Sequence, residues 1–247
     1  MMGSVITSTT RLVALLGHPV AHSRSPAMQN AAFAARGLDW AYVALDVQPE
    51  DLEDAVRGLV ALGFAGANVT IPHKRAVAEL CDELDRAAAR AVSVNTLVFR
   101  DGRILGSSTD GLAVAEAVEA RDSRVLVVGG GGAGHAVAAA LTDAGAGVRV
   151  ATRRDPDWPP RETDATILVN ATPLVDEVPV EPRPGQTVVD LAYRPDGSDT
   201  ALVAAARRAG CPVVDGLDVL VRQGAASFRT WTGVEAPLDL MRAAVRP

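Results

Sequence analysis

Val125-Leu126-Val127-Val128-Gly129-Gly130-Gly131-Gly132-Ala133-Gly134 decides the fold. Its opening residues, from Arg124, read as an apolar strand of the kind found in a parallel sheet covered on both faces. The glycines follow in the spacing Gly129-x-Gly131-x-x-Gly134, and an alanine-rich stretch then reads as a helix to Thr142 with a stop at Gly145. Glycine permits the tight turn and lets backbone N–H groups approach a pyrophosphate at a helix N-terminus. A glycine-rich turn alone is common, but a strand before it and a helix after it make a dinucleotide-binding signal. The next strand ends in Ala151-Thr152-Arg153-Arg154. NAD binders place an acid there for the ribose 2′-hydroxyl, whereas two guanidiniums suit a 2′-phosphate, so the stretch favours NADP. Asp155 follows directly and tempers that preference.

Working outward, strand and helix signals alternate. Strands are expected at Arg11–Leu16, Trp40–Val47, Gly66–Ile71, Val148–Thr152, Ala165–Ala171, Thr187–Ala192 and Pro212–Val214. Helices are expected from Ser25-Pro26, with Ser25 as N-cap, to a stop at Gly37, then over Pro49–Leu62, from Pro72 to about Ala91, and over Asp110–Ala120, Thr200–Arg208, Asp218–Thr230 and Leu238–Val245. Asn95–Leu105 reads as a hairpin turning at Asp101-Gly102. Alternating βα units imply a parallel sheet with right-handed crossovers. There is no internal repeat, and the proline-rich Pro156–Pro160 is the only low-complexity stretch.

Composition bounds the function. The chain has 247 residues, 48% of them hydrophobic, enough for one large domain or two modest ones. A net charge of −6 with no clustered basic face argues against nucleic acid. No apolar run reaches membrane-span length, and the N-terminus lacks a signal-peptide pattern, so a cytoplasmic location is expected. Cys81 and Cys211 match no metal or redox spacing and read as buried reduced thiols. The four histidines show no metal-ligand spacing, so no metal is expected. His22 is read as ordering its loop by hydrogen bonding, and His73 only as a residue at a helix start.

The chemistry lies upstream of the glycine loop. Gly66-Ala-Asn-Val-Thr-Ile-Pro-His-Lys74 puts one lysine just past an apolar strand, and Asn95-Thr96 and Thr109-Asp110-Gly111 come later. A positioned Lys/Asp pair beside a dinucleotide site is equipment for moving a hydride and a proton on one small molecule. Ser23 and Ser25, in Gly17-His-Pro-Val-Ala-His-Ser-Arg-Ser-Pro26, suit a substrate carboxylate or ordinary helix capping, and the loop alone does not separate the two.

In order and over essentially its whole length, the chain resembles the shikimate dehydrogenase family. The matching segments are Gly17–Pro26, Asn68–Lys74, Asn95-Thr96, Thr109–Gly111, Gly129–Ala133, Asn170–Thr172 and Asp215–Gln223. The resemblance implies NADPH-dependent, reversible reduction of 3-dehydroshikimate to shikimate, a step of aromatic amino-acid synthesis. It implies Lys74 and Asp110 as the catalytic pair, and Ser23, Ser25, Thr70, Asn95, Tyr193 and Gln223 as substrate-binding residues. For the cofactor it implies Gly129, Gly131, Gly132, Ala133, Thr152, Arg153, Arg154, Thr172 and Gly216. The expected fold is α/β in two domains: a substrate domain over residues 1–108, rejoined by C-terminal helices at 218–247, and a trimmed Rossmann-type NADP domain over 109–217, with the site in the cleft between them. A monomer or homodimer is expected.

Four departures from the family pattern stand out. Gln29 replaces a frequent histidine, Val92-Ser93 the usual Gly-Ala, Ser108 the usual asparagine, and Gly134 a common serine. The stretch between Arg154 and Thr166 has room only for a loop where the family places a helix. Quinate or aminoshikimate oxidation on the same frame, or a dinucleotide-binding regulator without turnover, are the alternatives that the sequence leaves open.

Overall fold

The structure is a computed structural model that describes residues 6–160 and 164–246. The chain divides into two compact units: residues up to Thr109 with those from Val221 onward, and Asp110–Leu220.

In the first unit, strands β1 (Arg11–Gly17), β2 (Trp40–Asp46), β3 (Gly66–Val69), β4 (Glu83–Leu84), β5 (Thr96–Arg100) and β6 (Arg103–Ser107) form one sheet in the order β2-β1-β3-β5-β6-β4. β1 pairs in parallel with β2 and β3, and the expected hairpin β5–β6 adds an antiparallel edge. Helices α1 (Ser25–Ala35), α2 (Leu52–Ala61) and α3 (Arg86–Ala91) connect them. Glycines in the left-handed region stop α1 at Gly37 (φ 64°) and α2 at Gly63 (φ 77°). The core beneath α2 is aliphatic, built on Leu16, Leu52, Val56, Val69 and Leu97. No side-chain hydrogen bond caps α1, so Ser25 is not its N-cap and lies instead in its first turn.

The helix expected from Pro72 to Ala91 is the main correction. A turn, a 3₁₀ helix over Ala76–Leu80, β4 and α3 occupy that span. Asp82 lies near its middle and pairs across the chain: its N–H donates to the Ile104 carbonyl at 2.8 Å and its carboxylate accepts the Ile104 N–H at 2.7 Å. β4 then adds to β6 in parallel, and the Asp85 side chain caps α3 by accepting Ala88 N–H. Tertiary pairing thus overrides helix propensity. The thiols also differ from expectation. Both are free and Cys211 is buried, but Cys81 is only partly so. Burial, then the neighbouring Asp82 charge, pushes the Cys81 thiol up to about 11.

In the second unit, β7 (Arg124–Val128), β8 (Gly147–Ala151), β9 (Ile167–Asn170), β10 (Thr187–Asp190) and β11 (Val213–Val214) form an all-parallel sheet in the order β11-β10-β9-β7-β8. Helices α4 (Asp110–Ala115), α5 (Gly132–Asp143) and α6 (Ala201–Arg208) belong to it. α4 stops five residues short of the expected Ala120, and a turn containing Asp122 (φ 60°) leads into β7. α4 packs on α5 so closely that a Cβ on Gly111 would lie 2.3 Å from the Ala136 carbonyl oxygen. After β8 the described residues carry turns and no helix, and residues 161–163 of the expected loop lie outside them. There Trp158 packs against the buried cluster that contains Leu126, Val128, Ala165 and Leu168, and its neighbour Asp157 pairs with Arg149. α7 (Gly216–Thr232) runs from the second unit into the first, where α8 (Leu238–Val245) packs against α1.

Candidate active site

The cofactor candidates, and the substrate candidate Tyr193 with them, all follow strands of the second sheet at their carboxyl ends. Gly129–Ala133 follow β7, Thr152–Arg154 follow β8, Thr172 follows β9, Tyr193 follows β10 and Gly216 follows β11. In open α/β sheets ligands bind outside these ends, at the point where strand order reverses, here between β7 and β9. The glycine loop fits a pyrophosphate. Gly129 turns at φ 116°, and a Cβ on Gly134 would lie 1.9 Å from the Gly129 carbonyl oxygen, so the first turn of α5 sits directly on the loop. Nothing lies within 4 Å of a Cβ built on Gly131, and no side chain caps α5, so its leading N–H groups are left to an anion.

Arg153 and Arg154 are exposed and make no side-chain hydrogen bond or ion pair among the described residues. Asp155 turns back on Thr152, accepting its N–H at 2.7 Å and its hydroxyl at 3.2 Å. The Thr172 hydroxyl donates to Asn170 Oδ1 at 2.7 Å. Asn170 Nδ2 in turn donates to the fully buried Asp190, which also accepts the Thr200 hydroxyl and the Ala192 N–H. Burial pushes the Asp190 carboxyl above its ordinary range, against the pull of those three donors. Tyr193 and Gly216 line one small cavity with Thr200, Asp215 and Leu217. Gly216 admits no side chain, since a Cβ would lie 2.2 Å from the Ala192 carbonyl oxygen.

In the first unit the backbone ties the serine loop to the lysine turn. His18 N–H donates to the Ile71 carbonyl at 3.0 Å, Thr70 N–H donates to Leu16 at 2.9 Å, and a Cβ on Gly17 would meet the Thr70 methyl at 2.4 Å. Ser25 N–H donates to Ser23 Oγ at 3.2 Å, which places the two serines together at the start of α1. The loop's histidine anchor is His18, whose Nδ1 lies 2.5 Å from Asp46 Oδ1. His22 is exposed and makes no hydrogen bond among the described residues, which corrects the role expected for it.

Lys74 is half-buried, and its backbone is fixed from two sides. His73, 1% exposed, is bonded through Nε2 to the Val47 carbonyl at 2.8 Å, and Val94 N–H donates to the Lys74 carbonyl at 2.8 Å. Next to Val94, Asn95 is a hub. Its Oδ1 accepts Thr109 N–H at 2.9 Å, and its Nδ2 donates to Thr109 Oγ1 at 2.9 Å and Gln223 Oε1 at 3.4 Å. Thr109 immediately precedes Asp110, which is 6% exposed.

A buried network stands behind Asn95 that the sequence reading did not find. Tyr42 donates through its hydroxyl to Asn68 Oδ1 at 2.9 Å, and Asn68 Nδ2 donates to the Asn95 carbonyl and Ser227 Oγ, both at 3.0 Å. The spacing Gln223, Ser227, Trp231 is the one signal that could have revealed it, because it lays polar atoms along one helix face. Three buried side-chain atoms of the described residues lack a hydrogen-bond partner: Gln29 Oε1, Ser93 Oγ and Ser108 Oγ. All three belong to residues that depart from the family pattern. Among the described residues no cluster of His, Cys, Asp and Glu could hold a metal ion, and no helix is long and apolar enough to cross a membrane.

Sheet and loop define an α/β protein with a Rossmann-type dinucleotide-binding sheet. Residues 15–97 match the shikimate dehydrogenase substrate binding domain, and residues 216–246 match the shikimate 5'-dehydrogenase C-terminal domain. The chain is 42% identical over 283 residues to a shikimate dehydrogenase (NADP(+)) of Moorella thermoacetica, covering 98% of this chain and 94% of the relative. It is 46% identical to that of Rubrobacter xylanophilus, covering 97% of each. The crystal structure of the Thermus thermophilus shikimate 5-dehydrogenase in complex with NADP(H) and shikimate superposes with a TM-score of 0.85 at 35% identity, covering 96% of this chain and 98% of that one. The chain belongs to the shikimate dehydrogenase family. The Moorella alignment runs over 283 residues against 247 here, so that relative carries segments this chain lacks.

Proposed function

We propose that the chain is an NADP-dependent shikimate dehydrogenase, reversibly reducing 3-dehydroshikimate to shikimate on the route to chorismate and the aromatic amino acids. Family membership supports this, and one observation carries it. The adjoining residues Val94 and Asn95 hold the Lys74 carbonyl at 2.8 Å and the Thr109 N–H at 2.9 Å. A single short segment therefore fixes the backbone at Lys74 and the residue preceding Asp110, the two members of the catalytic pair.

Bound NADPH supplies the hydride. The Lys74 ammonium hydrogen-bonds the ring ketone oxygen and gives it a proton as the alkoxide develops. Asp110 is the second member of the pair, which acts as base in the oxidative direction. Ser23 and Ser25 donate to the substrate carboxylate, while Thr70, Asn95, Tyr193 and Gln223 meet the rest of the ring. The glycine loop takes the pyrophosphate, with Thr152, Thr172 and Gly216 along the same edge, and Arg153 and Arg154 meet the 2′-phosphate. Residues 1–108 and 218–247 serve the substrate and 109–217 the cofactor. The enzyme works in the cytoplasm as a monomer or homodimer.

Turnover of shikimate, quinate and aminoshikimate, each with NADP and NAD, tests the reading. Shikimate with NADP should give the highest kcat/KM. A higher value for quinate or aminoshikimate would reassign the substrate, and no turnover of any would leave a dinucleotide-binding regulator.

A further inference from the structure

Helix α7 carries Gln223, Ser227 and Trp231 one turn apart, and they meet three successive residues of the chain. Asn95 Nδ2 donates to Gln223 Oε1 at 3.4 Å, Ser227 Oγ lies 2.7 Å from Thr96 Oγ1, and Trp231 Nε1 donates to the Leu97 carbonyl at 2.9 Å. The first of these contacts is too long to orient an amide by itself. The middle one is short and buried. Ser227 is 0% exposed, accepts Asn68 Nδ2 at 3.0 Å and donates to the Gln223 carbonyl at 3.1 Å. Gln29 adds a lateral tie, its Nε2 donating to the Gly224 carbonyl at 2.9 Å.

We infer that Ser227 is a positioning residue. It locks the turn of α7 that carries Gln223 and thereby sets how well the Gln223 amide meets the substrate. The inference rests on the reading of Gln223 as a substrate-binding residue. Ser227 touches neither substrate nor cofactor, and its bond to the Gln223 carbonyl is the route by which it acts on the site.

The donors and acceptors around Ser227 have other partners, so removing the lock leaves no buried donor orphaned. Asn68 Nδ2 has two hydrogens and three acceptors in reach: the Asn95 carbonyl at 3.0 Å, Thr96 Oγ1 at 3.2 Å and Ser227 Oγ at 3.0 Å. The Thr96 hydroxyl has a second acceptor in Asn95 Oδ1 at 3.2 Å. The Gln223 carbonyl keeps its ordinary helical acceptor role within α7. Ser227→Ala thus orphans no buried donor, and what it loses is the fixed register.

The test is a double-mutant cycle on the full-length protein with Ser227→Ala, Gln223→Ala and the pair, read as KM for shikimate, KM for NADP, kcat and melting temperature. Ser227→Ala should raise the shikimate KM roughly threefold to tenfold, the range one neutral hydrogen bond controls, and leave the NADP KM unchanged. In the Gln223→Ala background it should add nothing, because the group it positions is gone. Ser227→Cys keeps the volume and weakens the bonds, so it should fall between wild type and alanine, and it supplies the result if the alanine variant does not fold. A wild-type KM in Ser227→Ala alongside a raised KM in Gln223→Ala overturns the inference alone. Additive effects overturn it too. A wild-type KM in Gln223→Ala overturns the substrate role of Gln223 and the inference with it.

Discussion

Val92→Gly should stabilise this protein, although glycine usually does the opposite. Val92 ends α3 in the left-handed region, at φ 48° and ψ 45°. That conformation costs an L-residue about 1–2 kcal/mol, and a β-branched side chain suits it poorly. The turn is needed all the same, because the Val92 N–H closes on the Ala88 carbonyl and Ser93 N–H reaches the same oxygen at 3.3 Å. Val92 is 51% exposed, so little burial is lost with its side chain. Glycine's extra freedom in the unfolded chain costs about 0.5–1 kcal/mol. The difference is a net gain of up to about 1.5 kcal/mol, or up to roughly 6 °C in melting temperature for a chain of this size. Val92→Ala keeps Cβ and loses only the branch, so it should recover less than glycine does. Calorimetric melts of the three proteins make the comparison. kcat should stay at the wild-type level, since the Val94 and Asn95 bonds are untouched. A Val92→Gly melting temperature below that of wild type would refute the strain argument.

Other outcomes follow from the same geometry. Ser23→Ala and Ser25→Ala should each chiefly raise the shikimate KM, about tenfold or more for a charge-assisted bond, and steady-state kinetics with wild-type KM would place the carboxylate elsewhere. Arg153→Ala should weaken NADP roughly ten- to a hundredfold and spare NAD, as read by titrating both cofactors, and equal loss for both would refute the 2′-phosphate role. Asp190→Asn should change the pH dependence of stability. Burial raises the folded-state pKa of Asp190, so its contribution is fully present below the unfolded value of about 3.9 and fades as pH rises through the folded value. The melting temperature of the asparagine variant, relative to wild type, should therefore climb as pH rises above about 4, where the unfolded carboxyl titrates. A difference constant with pH would contradict this.

What the sequence revealed was mostly local. The glycine loop, the arginines after β8 and the Asp101-Gly102 hairpin depend on residues close in sequence, and all were legible there. The substrate side was legible only in part. His73 looked like a residue at a helix start, yet its ring anchors the lysine turn to Val47, 26 positions away. The Asn68–Ser227 bond joins residues 159 apart, and no local pattern foretells it. The Pro72–Ala91 stretch failed for the same reason. Its alanines and leucines favour helix, but Asp82 and β4 gain more by pairing with β6. The Val92 strain lies at a family glycine position, so the departure was visible in the sequence but its cost was not.

The catalytic role of Lys74 tests the account most directly. Steady-state rates of NADPH consumption with 3-dehydroshikimate should show kcat for Lys74→Ala lower by roughly two to four orders of magnitude, the usual span of general acid–base effects, with KM little changed. A Lys74→Ala enzyme that keeps a tenth of the wild-type kcat would contradict the assignment of Lys74 as the proton donor.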